Sequence, residues 1–124
     1  MAFNLTKPAA LLRIAGNDSK LFIELAQIMA HAFPDYIDSL EQALARNDTV
    51  ATRAVLHKIK GSLQMLGAES TLEQVSTLGA YIRTSEALPD AQDTRHLIDQ
   101  LHAILIEVER YQQNDAPAIT PQKS

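Results

Sequence analysis

Hydrophobic residues recur every three or four positions along most of this chain, the spacing that places side chains on one face of an α-helix. Clusters of turn-forming residues divide the periodic segments, and no segment shows the strict alternation typical of a β-strand. Neither an internal repeat nor a low-complexity block interrupts the pattern. The pattern therefore predicts an all-α protein, an antiparallel up-down four-helix bundle with a short N-terminal capping helix.

The first two helices are predicted from capping residues and from proline positions. Thr6 is expected to cap a short helix that carries Pro8 in its first turn. The next helix meets Pro34, which removes one backbone hydrogen bond and crowds the preceding turn. Either this helix ends before Pro34 and another begins there, or one long kinked helix runs to Arg46. We favour the single helix, because neither a glycine nor a polar cluster marks a turn.

The third helix is predicted over residues 49–66, with Gly67 ending it in the usual C-terminal manner. Two starts remain open for the fourth helix. Ser70 and Glu73 have the spacing of a capping box, whereas Ala68 could already begin the helix.

The last helix is predicted over residues 91–113. Residues 1–113 then form one helical-bundle domain, and residues 114–124, which hold two prolines among polar residues, form a flexible C-terminal tail. Core-facing residues are predicted for each helix from the same periodicity. In the first half of the second helix they are Leu21, Phe22, Leu25, Ile28, Met29 and Ala32.

The polar face of the third helix is the most distinctive feature of the pattern. Its apolar side is formed by Val55, Leu56, Ile59, Leu63 and Leu66, and its polar side by Arg53, His57, Lys60, Gly61 and Gln64. Gly61 lies one turn after His57, where glycine costs about 0.5–1 kcal/mol relative to alanine. Close approach of another molecule to the imidazole would compensate for that cost. Arg53 and Lys60 would offer positive charge to an anion carried on the ring.

Composition limits the classes of function. A chain of 124 residues with 46% hydrophobic and 21% charged residues is an ordinary globular domain rather than a disordered segment. The formal net charge of -4 argues against nucleic-acid binding. The absence of cysteine excludes disulfides, thiol chemistry and a cysteine-ligated zinc site. No membrane span or secretory signal is visible, so we expect a cytoplasmic location without direct membrane contact.

The other histidines are predicted to be structural or solvated. His31 lies on a different helix from His96 and His102, which are six positions apart and do not share a helix face. Simple metal ligation by an i, i+4 pair is therefore not expected, and no metal site is predicted.

The segment HKIKGSLQMLGA resembles the signature of histidine-containing phosphotransfer (HPt) domains. The residues in register with that signature are His57, Lys60, Gly61, Ser62, Leu66, Gly67 and Ala68. The order and lengths of the helices extend the resemblance more weakly over the rest of the chain. It departs at Leu63, where a small residue is more usual, and at Leu72, one position later than the family pattern places it.

The resemblance implies a phosphorelay carrier. The Nε2 atom of His57 would attack an aspartyl phosphate on a receiver domain, and the group would later pass to another receiver. Lys60 would stabilise the phosphohistidine. The other implied contributions are clearance for the receiver at Gly61, hydrogen bonding by Gln64, positive charge from Arg53 and ring orientation by Ser62.

The same resemblance implies the partners and the absence of a cofactor. The partners would be response-regulator receiver domains and a hybrid sensor histidine kinase, and the carrier would be a monomer. The receiver would supply Mg²⁺, so we expect this chain to need no cofactor of its own. No glycine-rich nucleotide loop is present, so a carrier is expected rather than a kinase or another enzyme.

Two other classes remain as alternatives. One is a non-catalytic helical interaction or adaptor bundle in which His57 is accidental. The other is a small helical enzyme with His57 as general base, which needs a concave pocket and a second catalytic group. The helical pattern instead predicts a convex surface at His57. For a carrier, we expect a docking patch of a few hundred Å² around His57, drawn from the third helix and the long helix before it.

Overall fold

The computed structural model describes residues 3–112, and all regular secondary structure in that range is helical. The helices are α1 (Pro8–Ile14), α2 (Ser19–Ala45), α3 (Thr49–Met65), α4 (Glu69–Ser85) and α5 (Ala91–Tyr111). No strand occurs among these residues, so the predicted all-α class is confirmed. The C-terminal tail predicted for residues 114–124 lies outside the described residues, and the domain boundary at residue 113 stays a prediction.

Consecutive long helices run antiparallel. Tyr36 of α2 lies beside Ser62 of α3, whereas Ser39, further along α2, shares a hollow with Val55, which comes earlier on α3. α2 packs against both α3 and α5, α3 also packs against α4, and the contact between α4 and α5 is the smallest of these. The predicted four-helix bundle is therefore confirmed, with α1 placed against α2 and α3.

The core lies between the four long helices and is built from large apolar side chains. Its largest fully buried members are Leu11, Phe22, Phe33, Leu40, Ile59, Leu63, Leu66, Ile82, Leu97, Leu101, Ile104 and Tyr111. Burying a side chain of this size stabilises the folded state by about 1.5–3 kcal/mol. The buried side chains therefore determine which face of each helix points inward. Leu11 brings α1 into this core.

The expected helix cap at Thr6 is wrong. The residue that precedes α1 is Lys7, and its side chain makes no capping hydrogen bond. Thr6 is buried instead, because the carboxylate of Glu107 on α5 accepts hydrogen bonds from the backbone N–H groups of residues 4–6 and from the Thr6 hydroxyl. The Thr6 hydroxyl in turn accepts a hydrogen bond from Tyr111. These contacts, which we call the N-terminal clasp, fasten residues 4–6 to α5.

α2 is one continuous helix that contains Pro34, so the single-helix prediction is confirmed. Asp18 caps its start by accepting hydrogen bonds from two backbone N–H groups of the first turn. The helix ends at Ala45, with Arg46 as its C-cap. Pro34 is exposed, so its ring lies on the solvent side of the helix.

Two residues of α2 that were predicted to face the core are exposed. Leu21 is 39% exposed and Ile28 is 62% exposed. The buried side chains of α2 follow one line along the helix: Phe22, Ala26, Met29, Phe33, Ile37, Leu40 and Ala43. Ile28 lies away from that line, on the same side of α2 as Asp35 and Ser39, which are exposed even though α3 lies beside them.

α3 and α4 form a tight antiparallel hairpin. Asp48 caps the start of α3 by accepting a hydrogen bond from the N–H of Ala51. α3 ends at Met65, and Gly67 follows with a φ of +65°. A Cβ at Gly67 would lie 3.0 Å from the Cβ of Ala10, so both the turn and the close approach of α1 require glycine.

Of the two starts that the sequence left open for α4, the structure agrees closely with the earlier one, and no capping box forms at Ser70. α4 begins at Glu69, and Ala68 precedes it without a side-chain cap. Because the N–H of Ala68 already bonds to the carbonyl of Leu63 in the turn, Ser70 falls inside the first helical turn rather than before it.

Candidate functional site

His57 lies on the exposed face of α3, opposite the buried side chains of Leu56, Ile59 and Leu63. This follows from the register of the helix, because the three leucine and isoleucine side chains fix which face points inward. Arg53, Gly61 and Gln64 are also exposed, and Lys60 is half-buried. The structure therefore brings these five residues together on one face.

Open space adjoins His57 at the position of Gly61. A Cβ placed on Gly61 would meet no atom within 4 Å. Packing within the described residues therefore gives no reason for a glycine at this position, although mid-helix glycine is unfavourable by about 0.5–1 kcal/mol. The missing side chain leaves one side of the imidazole open to a second molecule.

A cleft of about 100 Å³ lies on the other side of His57, between α3 and α4. We call it the α3–α4 cleft. It is lined by Arg53, Leu56, His57, Lys60, Val75, Ser76, Gly79, Ala80 and Arg83. The expectation of a purely convex surface at His57 is therefore wrong on this side. The recess exists because α4 presents small residues to α3.

The α3–α4 cleft is lined by three cations and by no carboxylate. Among residues 3–112, the one ion pair within 4.0 Å joins Lys7 to Glu69 at 3.2 Å. Arg53, Lys60 and Arg83 therefore have no acidic partner in the part of the chain that the structure describes. Their charge is available to an anion at the imidazole.

Sequence reasoning missed Arg83 because it considered only the helix that carries His57. Pairing the residues of α3 and α4 across the turn between them would have indicated Arg83. In an antiparallel pair, residues equally far from the turn are neighbours, and Arg53 and Arg83 each lie fifteen positions from Ala68. The same rule places Gly79 near His57.

Ser62 is directed toward α2. It is buried, and its hydroxyl lies 3.0 Å from the hydroxyl of Tyr36. This hydrogen bond joins α3 to α2. Among the described residues, the Ser62 hydroxyl therefore contacts α2 rather than the ring of His57.

A shallow hollow of about 250 Å³ lies between α2 and α3, on the side of α3 away from α4. We call it the α2–α3 groove. It is lined by Ala32, Asp35, Tyr36, Ser39, Val55 and Lys58. Ile28 is exposed one turn before Ala32 on the same side of α2. An exposed apolar side chain next to one acidic and one basic residue is typical of the edge of a protein-binding surface.

The other histidines line neither the α3–α4 cleft nor the α2–α3 groove. His31, His96 and His102 are all exposed. Within residues 3–112, no group of three or more histidine or acidic side chains is arranged to hold a metal ion. None of the described helices is long and apolar enough to cross a membrane.

Fold and site together define a class: a small helical bundle that exposes one histidine between open space and a cationic cleft. A family model described as Hpt domain matches residues 24–111, which include most of α2 and the whole of α3, α4 and α5. The chain belongs to the Hpt domain family. Members of this family are phosphotransfer carriers rather than catalytic enzymes, and they interact with response-regulator receivers. No curated protein and no solved structure matches the chain at a significant level.

Proposed function

We propose that this protein is a phosphorelay carrier that accepts a phosphoryl group on His57 from a receiver-domain aspartate and passes it to another receiver. The observation that carries this proposal is the exposure of His57 beside the open space at Gly61 and the cationic α3–α4 cleft. The chain belongs to a family of phosphotransfer carriers, and His57 lies on the exposed face of α3 in the segment that resembles the family signature.

The transfer step needs little from this chain beyond position and charge. The lone pair of Nε2 on the neutral ring attacks the phosphorus of the aspartyl phosphate in line. The N–P bond forms as the acyl P–O bond breaks, and the aspartate leaves as a carboxylate. Because phosphoryl transfer is governed by positioning and charge stabilisation, an accessible ring beside cations is sufficient on the carrier side.

The neighbouring residues divide the remaining tasks. Lys60 and Arg53 stabilise the negative charge of the phosphohistidine from the cleft side. Gly61 leaves clearance for the receiver, and Gln64 is placed on the exposed face to hydrogen-bond the phosphoryl oxygens or the receiver. The receiver supplies Mg²⁺ in this proposal, so the carrier works without a cofactor or metal of its own.

The receiver docks across α2 and α3 in this proposal. The α2–α3 groove and Ile28 lie on the side of α3 next to Gly61, where the approach to His57 is open. Asp35 and Lys58 at the groove provide both signs of charge to orient a partner. The proposed partners are response-regulator receivers and a hybrid sensor histidine kinase. In this proposal the carrier is a monomer and acts in the cytoplasm.

The test compares the wild type with His57→Gln after incubation with a receiver domain phosphorylated on its aspartate. A carrier takes up an acid-labile phosphoryl group, and the variant keeps its fold but takes up none. An adaptor bundle would bind its partner equally well in both forms and would carry no phosphoryl group in either.

The general-base enzyme is the weaker alternative. The α3–α4 cleft of about 100 Å³ is smaller than the pockets of roughly 300–1,000 Å³ that bind small-molecule substrates. It also offers no carboxylate to orient the imidazole as a base.

A further inference from the structure

The α3–α4 cleft concentrates positive charge in a chain whose formal net charge is -4. Arg53 and Lys60 reach it from α3, and Arg83 reaches it from α4. None of the three forms an ion pair with another described residue. A recess lined by unneutralised cations attracts an anion from outside the chain.

The α4 wall of the cleft leaves room for that anion. Ser76, Gly79 and Ala80 are the small residues that α4 contributes, and a Cβ at Gly79 would meet no atom within 4 Å. Gly79 therefore does not serve close helix packing. A volume of about 100 Å³ accepts a group of a few heavy atoms, such as a phosphoryl group, and is too small for a nucleotide.

We propose that Arg83 binds the phosphoryl group of phosphorylated His57 within the α3–α4 cleft, an inference that rests on the carrier function proposed above. The imidazole and the Arg83 side chain line the same recess from opposite helices. A guanidinium group donates two parallel hydrogen bonds to phosphate oxygens, which an ammonium group does not. α4 thus contributes a phosphoryl-binding residue to a site whose histidine stands on α3.

This contact exists only after transfer, so it acts on the transfer equilibrium. While the phosphoryl group is bonded to the receiver's aspartate, it does not lie in the cleft. Once the N–P bond to His57 has formed and the aspartate has left as a carboxylate, Arg83 stabilises the phosphorylated carrier. A contact made in one state alone shifts the equilibrium toward that state. For a partly exposed charge-assisted hydrogen bond, we expect a shift of about three- to tenfold.

Glu86 is a carboxylate that could oppose the anion, because it shares a neighbouring hollow with two of the three cations. It lines a separate hollow with Arg53 and Arg83 at the end of the hairpin, and it forms an ion pair with neither. Arg83 is therefore not held away from the cleft by an acidic partner.

The first experiment measures the equilibrium ratio of phosphorylated carrier to phosphorylated receiver with a radiolabelled receiver. Arg83→Ala is compared with the wild type, with Arg83→Lys, and with Arg95→Ala, which removes an exposed arginine from α5. We expect Arg83→Ala to lower the ratio about three- to tenfold, Arg83→Lys to lower it less, and Arg95→Ala to leave it unchanged. Circular dichroism verifies that each variant is folded. Equal ratios for Arg83→Ala and the wild type would overturn the proposal.

The second experiment separates the anion site from the carrier function. Inorganic phosphate is titrated into the unphosphorylated proteins, and chemical shifts of His57 and the cleft residues are followed by NMR. We expect saturable shifts in the wild type and in Arg95→Ala, and their loss in Arg83→Ala. If no receiver phosphorylates the wild type but these shifts depend on Arg83, the carrier function fails and the anion site stands. If Arg83→Ala binds phosphate as the wild type does, the role of Arg83 is contradicted.

Discussion

His57 has different surroundings on its two sides. Toward the α2–α3 groove it adjoins the open space at Gly61, and toward α4 it adjoins the cations of the α3–α4 cleft. The glycine brings no packing advantage among the described residues, because a Cβ there would touch nothing. Its cost in the helix is therefore best explained by the approach of a partner.

Replacing Gly61 tests this explanation directly. Gly61→Ala should raise the free energy of unfolding by about 0.5–1 kcal/mol, because alanine is the better helix former and the added methyl meets no atom. The rate of phosphotransfer from a receiver should fall at the same time, and it should fall further in Gly61→Gln, whose side chain reaches further. Urea unfolding gives the first quantity and single-turnover transfer the second. Transfer rates that do not depend on side-chain size at this position would rule out clearance as the role of Gly61.

At the scale of elements, the site depends on how α2 and α4 lie against α3. The hydrogen bond between Tyr36 and Ser62 joins α2 to α3 at the residue directly after Gly61. It fixes the relative position of the two helices that line the α2–α3 groove. Any influence of Ser62 on transfer should therefore act through this joint.

A double-mutant cycle of Tyr36→Phe and Ser62→Ala tests the joint. Each single change should lower the free energy of unfolding by about 0.5–1.5 kcal/mol, since it removes one partner of a partly buried hydrogen bond. The double variant should lose less than the sum of the two, because the interaction is already absent in either single variant. If Ser62 orients the imidazole instead, Ser62→Ala will slow transfer while Tyr36→Phe will not.

Local signals in the sequence predicted the elements well. The periodicity of α3 predicted the exposed face with His57 because helix register depends only on residues a few positions apart. The continuity of α2 through Pro34 followed from the absence of turn residues around it. The end of α3 just before Gly67 was predicted because glycine readily adopts the positive φ that often follows a helix, and Gly67 has that conformation.

The errors arose where a residue depends on a distant partner. Thr6 is bonded to Glu107, 101 positions away, so its use as a cap was a reasonable local prediction that a tertiary contact overrides. Ile28 is exposed because the packed face of α2 is narrower than the apolar spacing suggests, and the width of that face depends on the helices that pack against it. Arg83 could have been found by pairing residues across the Gly67 turn.

At the scale of the whole molecule, the N-terminal clasp closes one end of the bundle. The carboxylate of Glu107 accepts three backbone hydrogen bonds from residues 4–6, and Tyr111 donates to the Thr6 hydroxyl. The ring of Tyr111 stacks on Phe22 of α2 with centroids 5.3 Å apart. The clasp therefore ties the N-terminal segment, α5 and α2 together.

The clasp predicts how stability depends on pH in alkaline solution. Burial raises the pKa of Tyr111 far above its usual range, and the charge of Glu107 adds to the rise. The folded state thus keeps a proton that the unfolded chain releases near its ordinary pKa of 10.0. The stabilisation is complete below about pH 10 and falls above it by up to about 1.4 kcal/mol per pH unit. Urea unfolding at pH 9 and pH 11 measures the fall.

Tyr111→Phe is the matched control for this pH dependence. It keeps the buried ring but has no hydroxyl to titrate, so it should lose less stability between pH 9 and pH 11 than the wild type does. All other side chains are the same in the two proteins, so their contributions cancel in the comparison. An equal loss in the two proteins would contradict the role given to Tyr111.

Phosphotransfer from a receiver domain labelled on its aspartate tests the central claim most directly. With the wild type, we predict that the label moves to the carrier, is lost in acid as expected for a phosphoramidate, and maps to His57 by mass spectrometry under neutral conditions. His57→Gln should remain folded and unlabelled. A wild-type protein that stays unlabelled with every receiver tested, or a His57→Gln variant that is labelled to the same extent, would contradict the assignment of His57 as the phosphoryl acceptor.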